Sequence, residues 1–93
     1  MTDKELLELA AKAAGWIYLT SGELYVEGEG NCEWNPLIDD RDALRLAVKL
    51  TISIEFDDYE YVRVGGISYS DTSVSGIRRA IVLAAAEIGK GMS

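Results

Sequence analysis

Histidine is missing from this chain of 93 residues. Its absence removes the commonest general base, the commonest zinc ligand and every Ser-His or Cys-His nucleophile arrangement. The chain therefore reads as a non-enzymatic protein that needs no cofactor. A single cysteine, Cys32, excludes an intramolecular disulfide, so the fold cannot depend on an oxidising compartment. No apolar run approaches the roughly 18 residues that span a bilayer, so no membrane partner is expected. The opening Met1-Thr2-Asp3-Lys4-Glu5 has no apolar core of a signal peptide, which predicts a cytoplasmic protein.

Apolar residues make up 48% of the chain and charged residues 27%, the balance of a folded domain rather than a disordered segment. At this length, residues 1–93 form one domain. The net charge is −7 and unevenly placed. Residues 23–60 hold eleven acids and three bases, whereas residues 61–93 hold two acids and four bases. An acidic middle repels phosphate backbones, which disfavours direct nucleic-acid binding, and suits a protein partner with a basic surface.

Thr2-Asp3-Lys4-Glu5 fits a capping box and predicts a helix to about Ala14, stopped by Gly15. Trp16–Leu19 and Glu23–Glu27, separated by Thr20-Ser21-Gly22, predict a β-hairpin. Gly28-Glu29-Gly30-Asn31 is too glycine-rich for regular structure and is expected to be a mobile loop. After Pro36, a second helix should run to about Leu50, with Asp39 as N-cap and Asp42 at the capping-box position. Leu44, Ala47 and Val48 are expected to face inward, widened by Leu46 and Leu50, with Arg41, Arg45 and Lys49 in solvent. Thr51–Phe56 alternates, Asp57-Asp58 turns, and Glu60–Val64 returns. Gly65-Gly66 predicts a bulge or bend, with Ile67–Tyr69 continuing the strand. The last helix should start near Asp71–Ser73 and end near Ile88, with Gly89 and Lys90 as the stop. Val74, Ile77, Ile81, Ala84 and Ile88 form one face of it. Residues 80–86 are apolar nearly all round, which makes this helix central, or the contact of a homodimer.

The expected fold is α+β, in the order α-β-β-α-β-β-α. It has a four-stranded, mostly antiparallel sheet packed with three helices. The two α-β-β units look alike in layout but share no alignable residue pattern.

The block Trp34-Asn35-Pro36-Leu37-Ile38-Asp39-Asp40-Arg41-Asp42-Ala43-Leu44-Arg45-Leu46-Ala47-Val48-Lys49-Leu50 resembles a motif of small uncharacterised proteins of tailed phages and prophages. Residues 5–14 and 78–89 resemble the opening and closing helices of the same proteins. The family often has glycine where this chain has Arg41, a residue that suits a first helical turn. The resemblance implies phage origin, action inside a bacterial host cell and an α/β-sandwich-like domain; it supplies no catalytic residues. Small phage proteins of this size are often accessory factors that act on host machinery, including anti-CRISPR and other anti-defence inhibitors.

Four groups of residues are candidates for function. Asp39, Asp40 and Asp42 invite a divalent cation, but capping and dipole compensation account for them with fewer assumptions, so no metal is expected. Trp34 is either an exposed anchor or, the preferred reading, a staple that packs with Leu37 under the second helix while Pro36 fixes the entry. Glu23, Glu27, Glu29, Glu33, Asp57, Asp58 and Glu60 form either an acidic partner-binding surface or solvated strand faces. Tyr59 and Tyr61, on one strand face with Arg63, either contact a partner or pack across strands. The expected function is binding of a host protein. The alternatives are a sponge for a nucleotide signal, built from Arg63, Arg78 or Arg79 near the tyrosines, and a self-associating structural phage protein.

Overall fold

The computed structural model describes residues 2–26, 30–57 and 61–92. Three helices, α1 (Asp3–Ala14), α2 (Asp40–Leu50) and α3 (Val74–Lys90), are each separated from the next by three strands. Strands β1 (Ile17–Tyr18), β2 (Glu23–Val26) and β3 (Gly30–Glu33) form one antiparallel meander. Strands β4 (Ile54–Asp57), β5 (Tyr61–Val64) and β6 (Ile67–Tyr69) form another. The single four-stranded sheet is thus replaced by two separate three-stranded sheets, in an α-βββ-α-βββ-α order.

Two strands account for the difference. Gly30 and Asn31, assigned to a loop, open β3, which pairs with β2 in the register Glu23↔Glu33, Leu24↔Cys32. The other residues of that expected loop lie outside the described ones. Gly65 and Gly66 do not bend a continuing strand. They reverse it, with φ of 60° and 85° at the two central positions of a tight hairpin turn that pairs Val64 with Ile67. An L-residue side chain is disfavoured at both angles, so the Gly-Gly pair sets the turn.

An odd number of strands per interval carries the chain back to where the previous helix began. The helices therefore run in the same direction. Arg79 near the start of α3 pairs with Asp3 at the start of α1, while Lys12 Nζ near the end of α1 donates to the Met92 carbonyl just past α3. Arg78 pairs with Asp40 at the start of α2, and Leu50 and Thr51 at its end share a depression with Glu87 and Ile88.

Helix boundaries follow local chemistry. The Thr2 hydroxyl accepts from the Glu5 N–H and the Ser73 hydroxyl from the Gly76 N–H; Asp39 caps α2. Gly15 closes α1 in the left-handed conformation, with Trp16 N–H donating to the Ala11 carbonyl. Thr51 closes α2 in the same way at φ 53°, with Ile52 N–H donating to the Ala47 carbonyl. Gly89 does not stop α3, which continues to Lys90 and is capped by Gly91. Gly89 instead packs against the backbone of α1, where a Cβ would stand 2.1 Å from the Leu9 carbonyl oxygen.

The core lies between these helices and the inner faces of the sheets. Among the described residues, nine of the eighteen buried apolar ones are alanine, so helix backbones approach closely. The central position expected for α3 is what the structure shows: it packs on α1, on α2 and on β5, whose Val62 and Val64 are buried.

Candidate functional site

The Asn35–Asp42 segment is a folded connector. Asn35 Oδ1 accepts from the Leu37 N–H at 3.0 Å, and its carbonyl accepts from the N–H groups of Ile38 and Asp39. Pro36 is fully buried. Asp39 Oδ1 accepts from the N–H groups of Arg41 (2.9 Å) and Asp42 (3.1 Å). Asp42 reaches back not to the Asp39 amide, as a capping box would, but to the Asn35 N–H at 2.9 Å. Asp40 pairs with Arg78, whose Nε also donates to the Leu37 carbonyl at 3.0 Å. Each aspartate is thus occupied by a different partner, and the described residues contain no cluster of three metal-ligand side chains.

Trp34 is 4% exposed. Its ring meets Trp16 edge-on at 6.1 Å between centroids and Tyr18 at 5.9 Å. It is thus packed inside rather than exposed, in the cluster that also holds Ala43, Leu46 and Ala47 of α2, with Leu37 half-buried against it.

The acids nominated for partner binding divide between the two sheets. Glu23 and Glu33 face each other across β2 and β3, and Ser21 Oγ donates to Glu23. Asp57 ends β4 opposite Tyr61, whose side chain is exposed. Glu27, Glu29, Asp58, Tyr59 and Glu60 lie outside the described residues. Tyr61 and Arg63 share the outer face of β5, and Arg63 pairs with Glu55 at 3.7 Å across the strands.

The three arginines considered for a nucleotide do not converge. Arg63 projects from the outer sheet face, Arg78 turns to Asp40 on α2 and Arg79 to Asp3 on α1. Their positive charges are already met by carboxylates.

An apolar surface that the sequence pattern placed inside the protein is on the outside. Leu44 is 61% exposed and Val48 70%. The face of α2 turned to the core consists of Ala43, Leu46 and Ala47, because the small alanines let α2 approach its neighbours. Phe56 lies on the same sheet face as buried Val62 but is 73% exposed. Ile38, Val74 and Ile88, the last two expected in the core, are also exposed.

Leu44, Val48, Val74 and Ile88 border depressions that share lining residues. One of about 200 Å³ is lined by Ala43, Leu44, Ile54, Val74, Ile77 and Ile81, with Asp40 and Arg78 at its rim. A second, shallower one shares Leu44 and Ile54 and adds Ala47, Val48 and Ile52. A third continues from Ile52 to Ile67 and Ile88. Together they make an open furrow between α2, the start of β4 and α3. Its walls carry no nucleophile–base pair.

Among the described residues, two side chains titrate away from their ordinary values. Hydrogen bonds from the Ser73 hydroxyl and N–H hold the Asp71 carboxyl below its usual 3.8. Burial, and secondarily the charge of Glu87, pushes the Tyr69 hydroxyl up. Both flank the sheet-to-helix connection into α3 rather than the furrow.

No family model matches the chain, and no curated protein or solved structure shows significant similarity to it. No described helix is long and apolar enough to cross a membrane.

Proposed function

We propose that this chain is a non-enzymatic accessory protein that binds a protein partner through the furrow face of α2 and β4. The observation that carries this reading is the grouping of Leu44, Val48 and Val74, all more than half exposed, around two adjoining apolar depressions that share Leu44 and Ile54. Exposed apolar surface gathered at one place costs solubility and is retained where something covers it. The rim is charged and the chain strongly acidic, so a partner with a basic surface gains both burial and long-range attraction. The resemblance of residues 34–50 to phage proteins supports a bacterial host protein as that partner. Blocking a defence complex such as a CRISPR effector is the form of inhibition that fits a small acidic binder.

The test is capture of a host protein from bacterial lysate by the immobilised full chain, followed by titration with the purified partner. Binding should weaken with salt and fall by about tenfold or more in a Leu44→Lys, Val48→Lys double variant, as for loss of central interface contacts. Charge reversal at Glu23, Glu27, Glu29 and Glu33 should slow association. Undiminished affinity in the double variant would remove the furrow from the interface.

A further inference from the structure

The second sheet ends in an open strand, and the hydrogen-bond pattern shows what that strand offers. Gly65 N–H donates to the Ser53 carbonyl at 2.9 Å. In an antiparallel ladder this makes Ile54↔Val64 a non-hydrogen-bonded pair, so that Glu55 and Arg63 exchange the bonds. Ile54 and Phe56 therefore turn their N–H and C=O groups away from β5. Among the described residues no strand pairs on that side, since β4 is the end of the order β4-β5-β6. At Ile54 the strand borders the apolar furrow walled by Leu44 and Val48 of α2.

We propose that the β4 edge accepts a fourth strand: an extended segment of a partner protein in which apolar residues alternate with lysine or arginine. This rests on the proposed function, that the chain binds a protein. Alternation is dictated by the two sides of β4. Residues of the added strand that share a face with Ile54 and Phe56 enter the furrow against Leu44 and Val48, where only apolar side chains are matched. Residues on the opposite face lie beside Glu55, whose carboxylate stays largely exposed while it pairs with Arg63, in a chain of net charge −7. There a cation is favoured across the strands and an anion is not. Arg45 and Lys49 on the exposed side of α2 reinforce the choice, because they repel bases placed on the furrow side. A second copy of this chain is a poorer occupant. Two β4 strands paired about a two-fold axis set Glu55 opposite Glu55 or Asp57, and each copy carries −7. Neither of the other longer edges competes, since β3 reads Gly-Asn-Cys-Glu and β6 has three residues.

The experiment titrates the full chain with a short capped peptide alternating valine and lysine. The comparators are the same peptide with glutamate for lysine, and the lysine peptide N-methylated on the amides that would face β4. The lysine peptide should bind about tenfold or more tightly than either comparator. Amide exchange should slow at Ile54 and Phe56 when it binds. Phe56→Pro should lower its affinity by about tenfold, because the lost N–H faces the open side and the ladder to β5 is spared. Should that variant misfold, the N-methylated peptide tests the same backbone contact on the wild type. Equal binding of all three peptides, or protection at β3 or β6 instead, would overturn the proposal. Protection of Ile54 and Phe56 that rises with protein concentration in the absence of peptide would give the edge to a second copy and overturn it as well. If a captured host protein binds the Phe56→Pro variant undiminished, strand addition fails while protein binding stands. If the peptide binds as described but no host protein is captured, strand addition holds and the assignment to a host partner fails.

Discussion

Replacing Gly89 with alanine adds one methyl group where α3 crosses α1, and the structure sets its cost. The new Cβ would stand 2.1 Å from the Leu9 carbonyl oxygen, 2.9 Å from its carbon and 3.3 Å from its Cα. Ordinary contact begins at 3.4 Å, so the helices must separate by roughly an ångström. The obstacle is backbone, which cannot rotate aside, and the interface around it is built from Ala10, Ala11, Ala14, Ala85 and Ala86. Overpacking of a tight core costs about 1–3 kcal/mol, and this contact belongs near the top of that range. Alanine returns about 1 kcal/mol through its better helix propensity. The net loss is about 2 kcal/mol, or roughly 8–16 °C in melting temperature for a domain this size. Gly91→Ala is the matched control. Its Cβ would meet nothing closer than Ile88 O at 3.5 Å, and its φ of −76° suits any residue. That variant should be neutral or stabilised by a few tenths of a kcal/mol. Urea titration followed by the fluorescence of Trp16 and Trp34 measures both variants. A Gly89→Ala protein as stable as wild type would refute the close backbone contact.

Thr51 holds a left-handed cap at φ 53° where α1 uses glycine, so Thr51→Gly should stabilise the fold by about 0.5–1 kcal/mol in denaturant titration. A destabilised variant would contradict the strain. The Asp71 carboxyl titrates below its ordinary 3.8 in the folded chain. Its contribution is therefore complete above that value and lost as pH falls through the lower, folded one. The stability gap between wild type and Asp71→Asn should narrow from neutral pH toward about pH 2, and a constant gap would count against the Ser73 hydrogen bonds. Val48→Lys should leave stability within about 0.5 kcal/mol of wild type, since the side chain is already in solvent. A loss of several kcal/mol in thermal unfolding would mean that Val48 belongs to the core.

The helices were legible because their signals are local: Thr2, Asp39 and the turn before Val74 each cap the adjoining helix. Three strands were legible from alternation, and β1 from its aromatic and β-branched residues before a turn. Strand β3 was not, because Gly-Asn-Cys-Glu carries no β-branched or aromatic residue and becomes a strand only by pairing with β2. The turn at Gly65-Gly66 had a readable signal, two adjacent glycines between apolar runs, and reading it as a bend hid β6. Those two missing strands also reverse the helix directions, since two strands per interval would return each helix antiparallel to the last. On α2 the larger residues were assigned inward by hydrophobicity, whereas close helix packing selects Ala43 and Ala47. The furrow thus emerged where local pattern and tertiary packing disagree, and such conflicts mark places shaped by something other than folding. The acidic residues were legible as charge, but their division between two sheets depends on topology.

Three helices that point the same way add their dipoles instead of cancelling them. Each contributes roughly half a positive charge at its N-terminus and half a negative charge at its C-terminus. The molecule is therefore electrically lengthwise, with roughly 1.5 charges of each sign gathered at opposite poles. The ionisable residues of α1 and α2 mirror this, with Asp3, Glu5, Asp40 and Asp42 in first turns at one pole, where Arg78 and Arg79 of α3 also lie; Lys12, Lys49 and Lys90 occupy last turns at the other. Acetylation of those three lysines would strip the compensation from one pole in a single stroke. Lysine acetylation should accordingly loosen the C-terminal pole of this protein more than its N-terminal one.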